Sequence, residues 1–126
     1  MHFPVFLAVA AGGAAGALAR YYFSAWLMSQ SAGPFPLGTF AVNVLGCLLI
    51  GFLYPLGDSL SPEGKALLTS GFLGAFTTFS TFSLEIWTLW AGKQPLTGCG
   101  YLAASLVCGI LSVLLGIRLG NLFLLR

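Results

Sequence analysis

The segment GFLGAFTTFSTFSLE, residues 71–85, carries the side chains of this sequence with the clearest chemical potential. It places five hydroxyl groups between residues 77 and 83 of an otherwise apolar stretch, and Asn43 adds an amide in a second apolar stretch. Hydroxyl and amide groups donate hydrogen bonds without carrying charge. Such groups can bond helices to one another or replace the water around a small ion. Because Thr, Ser and Gly at this density weaken a helix, we favour a functional role for the group as a whole.

The composition indicates the environment of these groups. Of the 126 residues, 58% are hydrophobic and only 6% are charged. A soluble domain carries roughly a quarter charged residues, so this chain could not cover a water-facing surface. We therefore predict an all-α membrane protein that forms a single transmembrane domain over residues 1–126.

Four transmembrane helices follow from the uncharged runs, since a spanning helix needs about 20 apolar residues. A turn-forming cluster at residues 29–36 divides the long run that ends at residue 57. The predicted helices cover about 3–28, 37–57, 65–91 and 97–123. The first run lacks the positive leading region of a secretory signal peptide, so we interpret it as a membrane helix.

The basic residues give the chain almost no preferred orientation. With four crossings, one side of the membrane holds Lys65, Arg118 and Arg126, and the other holds Arg20 and Lys93. Orientation is set by the asymmetry of Lys and Arg across short loops, so insertion in both directions is expected. Four helices are few to enclose a polar pathway, and small residues recur at spacings that allow close helix packing. We predict an antiparallel dimer.

Polar groups from all four predicted helices fall in one half of the membrane. At about 1.5 Å per residue, Asn43, Phe79 and Phe82 lie up to roughly 6 Å from the midplane toward the same side. The other members of this layer are Arg20, Tyr101, Ser105 and, just past the centre, Ser112. Single Ser or Thr residues can serve as bonds between helices, but the convergence of four helices favours an ion pathway.

The charges indicate which ion would suit this layer. Within the apolar runs the ionisable residues are Arg20, Glu85 and Arg118, and the last two are expected near helix ends. A cation or proton carrier usually places a carboxylate deep in the membrane, and none is expected here. Phe79 and Phe82 share a helix face and offer electropositive ring edges, although packing alone would also explain an isolated pair. An anion is favoured.

Catalysis is not indicated. The only histidine is His2, and the central polar residues lack a base that could activate a Ser or Thr. Hydroxyl nucleophiles are weak without such a base. We predict that the protein is not an enzyme.

The sequence resembles the Fluc (CrcB) fluoride channels over its whole length. The resemblance is carried by GGAAGALARYY at 12–22, GTFAVNVLGCLLIG at 38–51 and GFLGAFTTFSTFSLE at 71–85, within which TTFSTF is specific. It implies four helices per subunit with a break in helix 3, and an antiparallel dual-topology homodimer. Such a dimer would export fluoride passively through two pores in the cell (inner) membrane. The expected partners are fluoride, a second copy of the chain and the lipid bilayer, with no nucleic acid.

Residue by residue, the resemblance implies a fluoride pathway past Phe79, Phe82 and Asn43. Further pathway residues implied in the same way are Ser80, Thr81, Tyr101, Ser105, Ser112 and Arg20. The break would fall between Gly74 and Thr78. A structural Na⁺ at the dimer interface would be bound there by the backbone carbonyls of Gly74 and Thr77. Ala75 stands where the family often has a second glycine, a departure that affects the shape of the break.

The alternative is a small multidrug exporter, which would also be a four-helix dual-topology dimer. That class uses a glutamate embedded in its first helix, and helix 1 here has no acidic residue. Glu85 is the residue that could substitute for it.

Overall fold

The computed structural model describes residues 3–125, and all the regular secondary structure in that range is helical. Helix α1 spans Phe3–Gln30, α2 spans Leu37–Leu53 and α6 spans Pro95–Leu124. Between α2 and α6 lie, in order, α3 (Pro62–Ala66), a π-helical segment (Leu67–Leu73), α4 (Gly74–Phe76) and α5 (Phe79–Ala91). His2 and Arg126, on which two of the sequence arguments draw, lie outside the described residues.

Three of the helical segments are long and apolar enough to cross a membrane. They are Phe3–Gln30, Pro62–Ala91 and Pro95–Leu124, with 28, 30 and 30 residues. The 17 residues of α2 are at the lower end of the length that spans the hydrocarbon core, about 17–25 residues. The architecture is that of an all-α membrane protein.

Pro55 and Pro62 account for two of the helix ends that differ from the sequence expectation. Helix α2 ends at Leu53 and not near residue 57, because Pro55 has no N–H to continue the helical bonding. Helix α3 begins at Pro62, earlier than expected, because Ser61 caps it: Ser61 Oγ accepts a bond of 3.1 Å from the Gly64 N–H.

Glycines allow the helices of the chain to pack backbone to backbone. A Cβ on Gly12 or Gly16 of α1 would meet backbone atoms of the π-helical segment, at Leu67 and Phe72 respectively. A Cβ on Gly116 of α6 would likewise meet the carbonyl oxygen of Leu48 in α2. These contacts fix α1 on Pro62–Ala91, the third segment of the chain after α1 and α2, and fix α2 on α6. Such packing is expected where lipid offers no hydrophobic drive for association.

The third segment is interrupted by two residues with extended backbone. Thr77 has φ −90° and ψ 159°, and Thr78 has φ −152° and ψ 119°. Gly46 of α2 faces this point, where a Cβ would collide with the Thr77 methyl group. Because residue 46 is a glycine, the Thr77 side chain has room at the interruption.

Candidate functional site

The side chain of Asn43 pairs with the backbone at the interruption. Its Nδ2 donates to the carbonyl oxygen of Thr78 at 3.1 Å, and its Oδ1 accepts from the Thr78 N–H at 2.8 Å. The amide thus satisfies both polar groups of a buried, non-helical residue, which would otherwise be costly in an apolar surrounding. Asn carries two N–H donors, so one remains for another acceptor.

Thr78 also starts the next helix. Its Oγ1 accepts from the Thr81 N–H at 3.3 Å and donates to Thr81 Oγ1 at 3.0 Å. This is an N-cap, and it leaves the N–H groups of Phe79 and Ser80 without partners inside the helix. The first turn of α5 therefore presents donors and the positive end of the helix dipole.

Phe79 and Phe82 are neighbours with very different surroundings. Their ring centroids are 5.8 Å apart and their planes are inclined by 46°. Phe82 is only 6% exposed and packs against the ring of Tyr101, at 5.1 Å in an edge arrangement. Phe79 is 78% exposed within the single chain. One ring is fixed in the core, and the other is free to meet a partner or an ion.

Glu85, which is not among the predicted pathway residues, joins its own helix to two others. Glu85 of α5 accepts from Thr39 Oγ1 of α2 at 2.7 Å and from the Tyr101 hydroxyl of α6 at 2.8 Å. From the sequence, Glu85 is expected near a helix end, and Thr39 is not among the predicted site residues. A signal was present, because Glu85 lies seven residues, or about two turns, after Thr78, and Thr39 lies one turn before Asn43.

A cavity of about 260 Å³ brings Arg20 to the same region. Its lining includes Arg20 and Ser24 of α1, Thr39 of α2, and Thr78 and Thr81 at the start of α5. The cavity thus combines one cationic side chain with hydroxyl groups from three parts of the chain. The groups that remain to donate are the Arg20 guanidinium and the Thr81 hydroxyl, because Thr39 donates to Glu85 and Thr78 donates to Thr81. A small anion needs such donors to replace its water.

A second cavity, of about 370 Å³, also reaches the interruption. Among its lining residues are Asn43, Gly74, Thr77, Thr78 and Phe79. Across residues 3–125 no group of three His, Cys, Asp or Glu side chains is arranged to hold a metal ion. Among the polar groups that line the cavity are backbone carbonyl oxygens and threonine hydroxyls.

Three of the predicted pathway residues, all serines, lie apart from this group of side chains. Ser105 Oγ on α6 is buried and has no hydrogen-bond partner in the described part of the chain. Ser112, two turns further on, is half-buried, and Ser80 lies on the exposed side of α5. The structure brings together Asn43, Thr81, Phe82, Tyr101 and Arg20, and leaves these serines apart.

These features define a class of protein: an all-α membrane protein whose polar groups converge where a transmembrane helix is interrupted. Within that class the chain belongs to the CrcB family, since the family model described as "CrcB-like protein, Camphor Resistance (CrcB)" matches residues 7–117. The resemblance found in the sequence is thereby confirmed.

The chain is also similar to named relatives, and three of them are each named "Fluoride-specific ion channel FluC". The relative from Trichormus variabilis is 42% identical over 120 residues, covering 92% of this chain and 88% of the relative. That from Hahella chejuensis is 44% identical over 128 residues, covering 98% and 100%. That from Acidobacterium capsulatum is 46% identical over 121 residues, covering 92% and 95%. The multidrug exporter gains no support from these comparisons.

Proposed function

We propose that this protein is a fluoride-selective channel that exports fluoride passively across the cell (inner) membrane. The names of its relatives support this function, and all three relatives are covered over most of their length. The observation that carries the proposal is the cavity in which Arg20 meets the hydroxyl groups of Thr39, Thr78 and Thr81 beside the first turn of α5. A channel of this kind needs no catalytic residue.

The chemistry of this cavity suits a small, strongly hydrated anion. The guanidinium of Arg20 attracts an anion, and the Thr81 hydroxyl, which accepts from Thr78 Oγ1 and keeps its own O–H to donate, can replace water around the anion without holding it tightly. The N-terminal end of α5 adds partial positive charge at the same place. From there, an anion would move along Phe79 and Phe82, whose ring edges are electropositive. The free N–H of Asn43 Nδ2 is a further donor on this route, which we extend along α6 past Tyr101, Ser105 and Ser112.

A second copy of the chain would complete the pathway. Phe79 is largely exposed in a single subunit. It nevertheless lines the same cavity as Asn43 and Thr78, beside the proposed ion pathway. An antiparallel partner would cover that ring and generate a second, equivalent pathway. The near balance of basic residues on the two sides supports insertion in both orientations. The complete unit would be a dual-topology homodimer with two pores.

The carbonyl groups at the interruption fit a structural Na⁺. Carbonyl oxygens of unwound membrane helices are suitable ligands for Na⁺. The carbonyls we assign are those of Gly74 and Thr77, which both line the 370 Å³ cavity. At the dimer interface a bound Na⁺ would supply positive charge that holds interrupted helices together, a structural role.

Fluoride efflux from liposomes tests the function directly. Purified protein is reconstituted with a K⁺ ionophore and no pH gradient, and fluoride and chloride release are read with ion-selective electrodes. Release of fluoride with retention of chloride is expected, because a passive pathway needs only charge compensation. A matched control is Leu84→Ala on the exposed side of α5, which should conduct as the wild type does. Absence of fluoride release from folded, dimeric protein would overturn the channel.

A further inference from the structure

The interruption redirects two specific backbone N–H groups. In a continuous α-helix, the Thr78 N–H would donate to the Gly74 carbonyl and the Thr81 N–H to the Thr77 carbonyl, four residues earlier. Here the Thr78 N–H donates to Asn43 Oδ1 at 2.8 Å, and the Thr81 N–H donates to Thr78 Oγ1 at 3.3 Å. Both donors are captured by side chains.

The two carbonyls that lose these donors are those of Gly74 and Thr77. They are also the two oxygens that we assign to Na⁺ on independent grounds, from the sequence resemblance. The neighbouring carbonyl of Thr78 is different, because it accepts from Asn43 Nδ2 at 3.1 Å. The hydrogen-bond pattern thus leaves Thr77 available and occupies Thr78.

We infer that Asn43 and Thr78 are positioning residues for the cation site: their side chains capture the N–H groups that would otherwise close a helix onto the carbonyls of Gly74 and Thr77. The inference rests on the proposed Na⁺ site and adds the residues that create it. Asn43 acts from a different helix, so α2 fixes the place of the interruption. Gly46, one turn along α2, contributes by leaving room for the Thr77 methyl group.

This arrangement gives Asn43 a role distinct from that of an ion ligand. Both hydrogen bonds of its amide run to the same residue, one to each polar group of the Thr78 backbone. The two peptide units that flank the Thr78 Cα are thereby each held by one hydrogen bond. Removal of the Asn43 amide should return the Thr78 N–H toward the Gly74 carbonyl, or leave it to exchange with water.

The test uses full-length dimer in detergent and two readouts that do not involve fluoride. The first is the thermal-unfolding midpoint in Na⁺ compared with N-methylglucamine. The second is hydrogen exchange at the Thr78 and Thr81 amides. The variants are Asn43→Ala and Thr78→Val, which each remove one capturing group. Thr78→Ser keeps the capturing hydroxyl. Thr88→Val is the matched control, because the Thr88 hydroxyl bonds only the Leu84 carbonyl, at 2.8 Å.

The expected result is a higher midpoint in Na⁺ for the wild type, Thr78→Ser and Thr88→Val, with the difference lost in Asn43→Ala and Thr78→Val. Exchange should accelerate at least about tenfold, at Thr78 in Asn43→Ala and at Thr81 in Thr78→Val, the change that corresponds to about 1.4 kcal/mol for a lost bond. A full Na⁺ effect in both variants would overturn the inference, as would its loss in Thr78→Ser. If Asn43→Ala or Thr78→Val does not fold, Thr78→Ser is compared with the wild type instead. Loss of the Na⁺-dependent difference in midpoint in Thr78→Ser then overturns the inference.

Failure of this inference can be distinguished from failure of the channel function. Fluoride efflux is not measured here, so a protein that conducts no fluoride can still give the expected exchange and Na⁺ results. Conversely, no Na⁺ effect in the wild type would overturn both the cation site and this inference, even where fluoride efflux is normal.

Discussion

The hydroxyl group of Tyr101 lies 2.8 Å from Oε2 of Glu85 and donates a hydrogen bond that joins α6 to α5. The other carboxylate oxygen, Oε1, accepts from Thr39 of α2 at 2.7 Å. Hydrogen bonds to an ionised group are stronger than neutral ones, and Tyr101 has no exposed surface. This group therefore connects three helices at the level of Phe82, whose ring rests against that of Tyr101.

Tyr101→Phe should lower stability by about 1–3 kcal/mol, because it leaves one oxygen of a half-buried carboxylate without its donor. The measurement is thermal unfolding of the detergent-solubilised protein. Glu85→Gln changes the other partner of the same bond, so the double variant should lose less than the sum of the single variants. Strictly additive losses would show that the two side chains do not interact in solution.

Phe79→Ile and Phe82→Ile should each reduce fluoride flux while leaving the proposed dimer intact. Isoleucine keeps an apolar side chain but has no electropositive ring edge. The two variants should differ in stability. Phe82→Ile loses the ring contact with Tyr101, worth about 0.5–1.5 kcal/mol, whereas Phe79 has few contacts within its own subunit. Liposome efflux of each variant, compared with that of Leu84→Ala, measures the effect on fluoride flux. Full flux in both phenylalanine variants would show that the rings are not part of the pathway.

Asn43→Asp should block fluoride permeation more strongly than Asn43→Ser. The carboxylate can still accept from the Thr78 N–H, but it cannot donate to the Thr78 carbonyl and it places a negative charge beside the anion. Serine removes the amide without adding charge. Efflux rates measured at equal protein density decide the point. Equal rates for the two variants would mean that the ion does not pass near Asn43.

Local patterns in the sequence carry the fold class and the pairing of neighbouring side chains. The apolar runs give the membrane class, and a spacing of three residues brings Phe79 and Phe82 side by side. The contacts that organise the site are long-range: Asn43 and Thr78 are 35 residues apart, and Thr39 and Glu85 are 46 apart. Residue type alone does not reveal that the Asn43 amide bonds to a backbone group, because its partner becomes available only where the third segment is interrupted.

Gly16→Ala should destabilise the subunit strongly, because the added Cβ would collide with the carbonyl oxygen of Phe72. The obstacle is backbone, so relief requires α1 to move away from the third segment, with a cost typical of overpacking, about 1–3 kcal/mol. Gly13→Ala is the matched control on the same helix, since nothing lies within 4 Å of its added Cβ. Thermal unfolding of the two variants should differ by several degrees. Similar midpoints would indicate that α1 is not held against the π-helical segment as described.

Lys93→Gly should stabilise the turn between α5 and α6. Lys93 has φ 61°, a left-handed conformation that costs an ordinary L-residue about 1–2 kcal/mol. The turn needs that conformation, because the Lys93 N–H donates to the Trp90 carbonyl at 3.1 Å and the Gln94 N–H to the Leu89 carbonyl at 2.8 Å. This is the pattern that ends many helices with glycine.

The charge of Lys93 is removed in the same variant, so Lys93→Ala is the necessary control. Alanine also removes the charge but keeps the Cβ that makes the left-handed conformation costly. Lys93→Gly should therefore unfold a few degrees above Lys93→Ala, with Lys93→Asn between them, because asparagine tolerates this conformation better than alanine does. A glycine variant no more stable than the alanine variant would contradict a left-handed residue 93. A change shared equally by both would instead be due to the lost charge, which also shifts the balance of basic residues between the two sides of the membrane.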